Sequence, residues 1–376
     1  MGFALAVFFQ EPRRLSILFM NVNNQNEVVK MLNPKKRIKF RITLMALILG
    51  ISVIVAGLVW ADLPPIRDAS ESNGKIYVIA KVPSGSFWAQ TKIASNDISR
   101  SPLIGGAEVV YFAPPQSTDV NKQLDKTEAA VQANPLALVV AALDMDALVP
   151  QTEKAYDMGI PVITYDSMIN SKKYDFHFAT NSFAVSKSLG QKFSQKYGGK
   201  GKYAVLSGSA AAAVEEERKD GFIAGLGPGW KIAGGGVKYN NYDWNISLGQ
   251  AQDLLTANPD LKGFFTTFCV MCNHSAIAMK EQGFRPGELG NASFDMNADS
   301  YFHTKDGWVT ASAVQDPYNM TQAAIKMAYF MATSTVKRRP PSSMDTNYEI
   351  VTPENIMSPK IQEFLTIVKK IDKIND

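Results

Sequence analysis

Six side chains of different chemistry stand where apolar runs end: Phe87 and Trp88, Asp166, Asp295, Gln315, and Arg218 in Arg218-Lys219-Asp220-Gly221-Phe222. Carboxylates accept hydrogen bonds from vicinal hydroxyls, a guanidinium donates in a planar fork, and aromatic faces cover apolar C–H patches. Together they suit a small polyhydroxylated ligand, and an analogue lacking one hydroxyl would leave such groups unpaired at about 1–3 kcal/mol each. Each residue also has a plainer use: Asp166 as a turn or cap, Arg218 as a solvated helix charge, Phe87 and Trp88 as core packing. What separates the readings is whether the elements bring these residues together.

From Lys75 onward, short β-branched apolar runs alternate with longer amphipathic stretches, as in βαβ units with a parallel sheet. Strands are expected at 76–80, 108–112, 136–143 and 161–165, with helices over 87–99, 120–132 and 147–158. The pattern restarts with strands at 176–179, 203–207, 230–239, 263–267, 292–295 and 309–314. Its helices are expected over 183–196, 212–226, 247–257, 275–282 and 320–333. The run Ala137-Leu138-Val139-Val140-Ala141-Ala142 has no polar face, as a strand covered on both sides requires. The expected fold is α/β: two doubly wound parallel-sheet lobes joined by a multi-strand hinge at Thr180–Asn181, Gln315–Pro317 and Pro340–Met344. Lobe 1 is expected at 62–180 plus 316–340 and lobe 2 at 181–315 plus 341–357. Ligands of such sheets bind beyond the carboxyl ends of the strands, which makes the interlobe cleft the expected site.

Over 75–355 the chain resembles the periplasmic sugar-binding proteins of the ribose-binding type, which share a fold with the ligand-binding domains of LacI-type repressors. Carrying the resemblance, in order, are Phe87-Trp88, Pro161-Val162-Ile163-Thr164-Tyr165-Asp166, Arg218-Lys219-Asp220-Gly221-Phe222, the helix phrase ending Asn258-Pro259-Asp260, Phe294-Asp295 and Val314-Gln315. The resemblance implies that Phe87 and Trp88 stack on a sugar, Asp166 accepts from its hydroxyls, and Arg218 donates across the cleft. Asp295 and Gln315 would complete the second lobe's side. Two departures bear on the ligand. Gly85-Ser86 stands where the family has Asn-Pro, and Phe268-Cys269 replaces an Asn-Asp pair, leaving Asn273 as the nearest amide and a candidate ligand residue. The resemblance implies capture of a monosaccharide or small polyol for the permease of an ABC importer by a monomer without cofactor or metal. A sensory role with a kinase or chemoreceptor, for a sugar or furanosyl autoinducer, is the alternative.

The front of the chain bears on location. Of 39 basic and 35 acidic side chains, eight and two lie in 1–61, which leaves 31 and 33 downstream and a net of −2. The basic character is therefore no argument for nucleic acid. Lys35-Lys36-Arg37-Ile38-Lys39-Phe40-Arg41 precedes an uncharged run, 42–61, ending Val59-Trp60-Ala61, the order of a secretory signal. Export to the periplasm is expected, with translation from Met31 and cleavage before Asp62; an uncleaved anchor is the competing reading. Cys269 and Cys272 could form a local disulfide, remain free thiols, or serve as half of a redox or zinc motif. No nucleophile elbow, metal pattern or Ser/His/Asp order points to an enzyme. At the far end, Ile361, Phe364, Leu365 and Val368 are spaced for an amphipathic helix over 358–376.

Overall fold

The computed structural model describes residues 4–11, 14–21, 63–210 and 212–374. Ala4–Glu11 (β1) and Arg14–Asn21 (β2) pair antiparallel as a hairpin belonging to a separate unit, Met1–Leu63. The basic cluster and apolar run expected to direct export lie outside the described residues.

Within Pro64–Asp376, the first sheet holds β3 (Lys75–Ile79), β4 (Glu108–Phe112), β5 (Ala137–Val140), β6 (Val162–Tyr165) and β7 (Phe176–Ala179). Helices α1 (Ser86–Ser99), α2 (Val120–Gln132) and α3 (Val149–Asp157) connect them. The second sheet holds β8 (Gly201–Ser207), β9 (Trp230–Tyr239), β10 (Leu261–Thr266), β11 (Gly290–Phe294) and β12 (Ala311–Gln315). Its helices are α4 (Ser182–Lys196), α5 (Ala213–Leu226), α6 (Ser247–Ala257), α7 (Cys269–Glu281) and α8 (Ala298–Lys305). Then follow α9 (Pro317–Thr333), β13 (Ser342–Asp345), β14 (Tyr348–Val351), α10 (Pro359–Phe364) and α11 (Thr366–Asp372).

The strand orders are β13-β7-β6-β5-β3-β4 and β14-β12-β11-β10-β8-β9. Each sheet thus winds outward in both directions from its first strand, with the switch between β3 and β5 in one and β8 and β10 in the other. Side chains just past β3 and β8 are therefore placed over the crevice of their lobe. Apolar helix faces cover both sides of each sheet. Ile98 of α1 with Met320, Ile325 and Ala328 of α9 seals one face of the first, and Val131, Leu148 and Tyr156 seal the other. In the second lobe, Leu189, Phe193, Phe222 and Leu226 of α4 and α5 lie on one side, and Leu254, Leu255 and Met279 of α6 and α7 on the other.

The chain passes between the sheets three times. At the first crossing, after β7, Asn181 accepts from Ala184 N at 3.1 Å and caps α4. The second, after β12, ends in Asp316, which accepts from Asn319 N at 3.0 Å and caps α9. Both passages therefore run straight into a capped helix. The third comes later than expected. Residues 342–345 pair in parallel with β7, so the segment 341–345, expected in lobe 2, belongs to the first sheet and the crossing falls after Asp345. Ser342-Ser343-Met344-Asp345 is exposed throughout, and nothing in its pattern distinguishes a strand from a loop. Strands of the first sheet run toward the cleft. A chain continuing directly from β13 into the other sheet must run away from the cleft, so β14 pairs antiparallel with β12.

Past α9, the buried Arg338 side chain returns to lobe 1. Its guanidinium donates from Nε to Asp175 Oδ1 at 2.7 Å, from Nη1 to the Tyr156 carbonyl at 2.7 Å and from Nη2 to the Ile160 carbonyl at 2.8 Å. It lies over the Tyr156 ring, 3.8 Å from its centroid. Asp175 accepts in turn from Val162 N at 2.8 Å, which ties the segment before β13 to β6. Both charges are out of water, and removing one strands the other. Arg338→Ala is expected to cost about 3–5 kcal/mol in urea unfolding; a loss below about 1 kcal/mol would show that the pair does not hold this edge together.

Candidate functional site

The cleft contains a cavity of about 450 Å³ between the carboxyl ends of the two sheets, with walls from both lobes. On the first-lobe wall, Gly85 takes a φ of 86° and turns the chain from β3 into α1, so that Phe87 and Trp88 open the helix at the cavity. Their rings meet edge to face with centroids 4.9 Å apart, and Trp88 packs against Tyr165 at 6.3 Å. Asp166 directly follows β6 in the left-handed region, φ 57°, which swings its carboxylate out of the strand direction and toward the cleft. Lys81 Nζ lies 3.3 Å from Asp166 Oδ2, and Ser167 Oγ donates to the same oxygen at 2.7 Å.

Lobe 2 repeats this device. Asp295 follows β11 at φ 62°, its Oδ1 accepting from Gln315 Nε2 at 2.9 Å and its Oδ2 lying 3.7 Å from Arg218 Nη1. Burial raises the Asp295 carboxyl above its ordinary value, with Arg218 opposing. Arg218 is the largest fully buried side chain among the described residues; it donates to the Thr267 carbonyl at 2.9 Å and lies between the rings of Phe294 and Phe268, 4.2 and 5.3 Å from their centroids. Its Nε has no protein partner. Helix α5 can carry it there because α4 and α5 touch backbone to backbone: a Cβ at Gly221 would collide with the Phe183 carbonyl oxygen, and one at Gly190 with that of Phe222.

Five of the expected residues, Phe87, Trp88, Asp166, Arg218 and Asp295, line this one cavity. Gln315 stands behind the wall and orients Asp295 rather than facing the cavity. Asn273 is not brought to the site: it is buried on α7 and donates to Asn297 Oδ1 at 3.1 Å, the oxygen that caps α8. The reason is that α7 begins at Cys269, six residues before the expected Ser275, which turns Asn273 into the lobe. Cys269 and Cys272 are separate thiols one helical turn apart, and the Cys272 thiol donates to the Cys269 carbonyl at 3.0 Å. Of the readings open to this pair, the structure has free thiols rather than a local disulfide. Burial raises both thiols, Cys272 to about 12, which keeps them protonated at neutral pH.

The residue pattern alone did not single out Lys81, Tyr242, Trp244, Phe268 or Glu215. Tyr242-Asp243-Trp244 follows β9 as an aromatic cluster, a signal that could have been read. Tyr242, Trp244 and Phe268 pack edge to face within 6.4 Å of one another and form an aromatic wall in lobe 2. Glu215, fully buried three residues before Arg218, gathers the site's backbone. It accepts from the Gly208 amide, Ser209 N at 3.1 Å, Ser207 Oγ at 3.0 Å, Thr267 Oγ1 at 3.1 Å and Tyr242 OH at 2.6 Å. A carboxylate so fully supplied with donors holds loops in place and has little left for a ligand.

A second compartment of about 270 Å³ adjoins the crossings, sharing Lys81 and Asp166 with the first and lined further by His177, Asn181, Glu217 and Asp345. Among the described residues no group of His, Cys, Asp or Glu is arranged to hold a metal ion.

Residues 76–335, more than half of the chain, match the family described as the periplasmic binding protein domain. The chain belongs to that family. It is 25% identical over 255 residues to the D-ribose/D-allose-binding protein of Pseudomonas aeruginosa, covering 65% of this chain and 78% of the relative. To the D-apiose import binding protein of Actinobacillus succinogenes it is 24% identical over 302 residues, 78% of this chain and 91% of the relative. Among solved structures, an ABC transporter solute-binding protein from Agrobacterium vitis with bound D-fucose superposes with a TM-score of 0.68 at 29% identity, covering 77% of this chain and 98% of its own. The Actinobacillus succinogenes protein is named as an import binding protein and the Agrobacterium vitis protein as an ABC transporter solute-binding protein, and none of these relatives is named as an enzyme.

One consequence is open to measurement without a ligand. Burial lowers the His177 imidazole from 6.5 to about 4, and its Nδ1 lies 2.8 Å from Thr164 Oγ1. The unfolded chain therefore takes up a proton near pH 6.5 while the folded protein refuses it until about pH 4. This contribution is complete above pH 6.5 and is lost as the pH falls toward 4, by about 3 kcal/mol. His177→Gln should flatten the acid limb of the stability curve between those values, and parallel curves for the two proteins would contradict it.

Proposed function

We propose that the protein captures a monosaccharide or a related small polyol in the interlobe cleft, outside the cytoplasm, and delivers it to the membrane permease of an ABC importer. The observation that carries this reading is the pair of left-handed aspartates at strand ends. Asp166 and Asp295, one on each wall, are each set beside a cation and flanked by aromatic rings. Hydroxyls would donate to the carboxylates, Arg218 and Lys81 would donate to ring or hydroxyl oxygens, and Phe87 and Trp88 would face Tyr242, Trp244 and Phe268 across the sugar's apolar faces. A volume of about 450 Å³ lies at the small end of the range for ligand sites. Binding to both walls favours the arrangement in which the lobes are close, so ligand would shift a rotation about the three crossings toward closure. The moving lobes would be 64–180 with 316–345 and 181–315 with 346–357, acting as a monomer. Relatives named as import binding proteins favour delivery to a permease over the sensory alternative.

Isothermal calorimetry against pentoses, hexoses, their deoxy forms and inositols tests the assignment directly, and heat from none of them would overturn it. With any binder in hand, Asp166→Asn or Asp295→Asn should weaken affinity about tenfold to a hundredfold, the loss of one charged hydrogen bond. Because burial raises the Asp295 carboxyl above its ordinary value, acidification protonates it sooner than an exposed aspartate and removes an acceptor, so affinity should fall as the pH is lowered. In Asp295→Asn that pH dependence should shrink. An unchanged slope would take Asp295 out of the ligand's contacts.

A further inference from the structure

Helix α1, which opens with the aromatic pair of the site, lacks an N-cap of its own. Gly85 precedes it and makes no side-chain cap bond, whereas α4, α8 and α9 are capped by Asn181, Asn297 and Asp316. The carboxylate at its amino end comes instead from the other end of the chain. Ser86 Oγ donates to Asp372 Oδ2 at 2.5 Å, and α11 packs against α1. A negative charge there also meets the positive end of the helix dipole.

The segment that delivers Asp372 is rooted in lobe 2. Ile361, Leu365, Val368 and Ile374 are buried with Met296, Tyr301 and Val314 of that lobe. Lys373 ends α11 in the left-handed region, φ 54°, and turns the chain so that Ile374 is buried just beyond the aspartate. Asp372 is thus held on both sides by apolar anchors in one lobe while its carboxylate engages the other. The contact also lies on a different side of the cleft from the crossings. Ser86 and Met296 line the larger compartment, and the crossing residues Thr180, Asn181 and Asp345 line the smaller.

We propose that the C-terminal segment 358–374 is a clasp between the lobes. Asp372 is its positioning residue, setting the amino end of α1 and with it the Phe87 and Trp88 wall. With the crossings on one side and the clasp on the other, the lobes cannot part without breaking the Ser86–Asp372 bond. The clasp therefore biases the unliganded protein toward the closed arrangement and pre-forms the site, which reduces the ordering left for a ligand to do.

The test needs no ligand, so it stands apart from the identity of the sugar. In a Cys269→Ser background, which removes the half-buried thiol at the cavity while Cys272 stays buried, spin labels at Asn121→Cys in lobe 1 and Lys262→Cys in lobe 2, both exposed positions, report the interlobe distance by double electron–electron resonance. Asp372→Ala, and separately Ser86→Ala from the opposite lobe, should lower the ratio of closed to open molecules about tenfold, the effect of losing one charge-assisted hydrogen bond. Asp372→Asn, which keeps an acceptor, should fall between them and the wild type. Glu363→Ala, on an exposed face of the same segment, should change nothing. Distance distributions that stay the same in both Asp372→Ala and Ser86→Ala would overturn the proposal. So would a wild-type protein already mostly open, or an equal shift in Glu363→Ala, which would mean general loosening of the tail.

Discussion

Parallel strands all end on the same edge of a sheet, and here two such edges face each other. Almost every feature of the site follows from that constraint. A parallel sheet covered by helices on both faces leaves only its strand ends open, so the side chains just past β3, β6, β10 and β11 meet in one place. The three crossings keep the edges opposed. Because the second and third return chain to a lobe already begun, α9 and β13 complete the first lobe only after the second has been laid down.

The walls answer the same problem twice. Each presents an aspartate in a left-handed conformation, a cation within ion-pair reach and a group of aromatic rings. The support differs. Asp166 pairs with Lys81, which keeps some contact with solvent, whereas Asp295 lies beside an arginine that is itself out of water. Burying Arg218 is tolerable because the Thr267 carbonyl accepts from it, the Asp295 carboxylate lies within ion-pair distance and two phenyl rings lie against its faces, and because two glycines let α5 approach closely enough. Glu215 then gathers the backbone after β8, the end of β10 and the loop carrying Tyr242 into one rigid wall. Lobe 2 is thus the more pre-organised side, and lobe 1 owes the placement of its aromatic pair to α1, whose amino end meets Asp372.

Much of this was legible along the chain. Strands without a polar face, such as 137–140, announced a doubly covered parallel sheet, and of the tail's i, i+3, i+4, i+7 stripe Ile361, Leu365 and Val368 are buried and Phe364 partly so, although the helix breaks in two at Leu365. Five site residues could be named because they follow apolar runs or sit in a distinctive phrase. Asn273 failed because amide chemistry was weighed without knowing where α7 begins; a shift of six residues in a helix start changes which face a side chain occupies. Strand β13 was invisible because all four of its residues are exposed and carry no alternation.

Local pattern, then, determined the element order, the two-lobed architecture and the chemical character of the cleft, since periodicity and strand-end residues are properties of short stretches. Only the tertiary structure decided which polar groups are available to a ligand and which are already engaged. Glu215 and Gln315 look as competent as Asp166 in the sequence, yet one is saturated by five donors and the other is committed to Asp295. It also decided that a serine at one end of the fold and an aspartate 286 residues later would meet. Hydrogen bonding depends on distance in space, and distance along the chain says nothing about it until every helix and sheet has been packed.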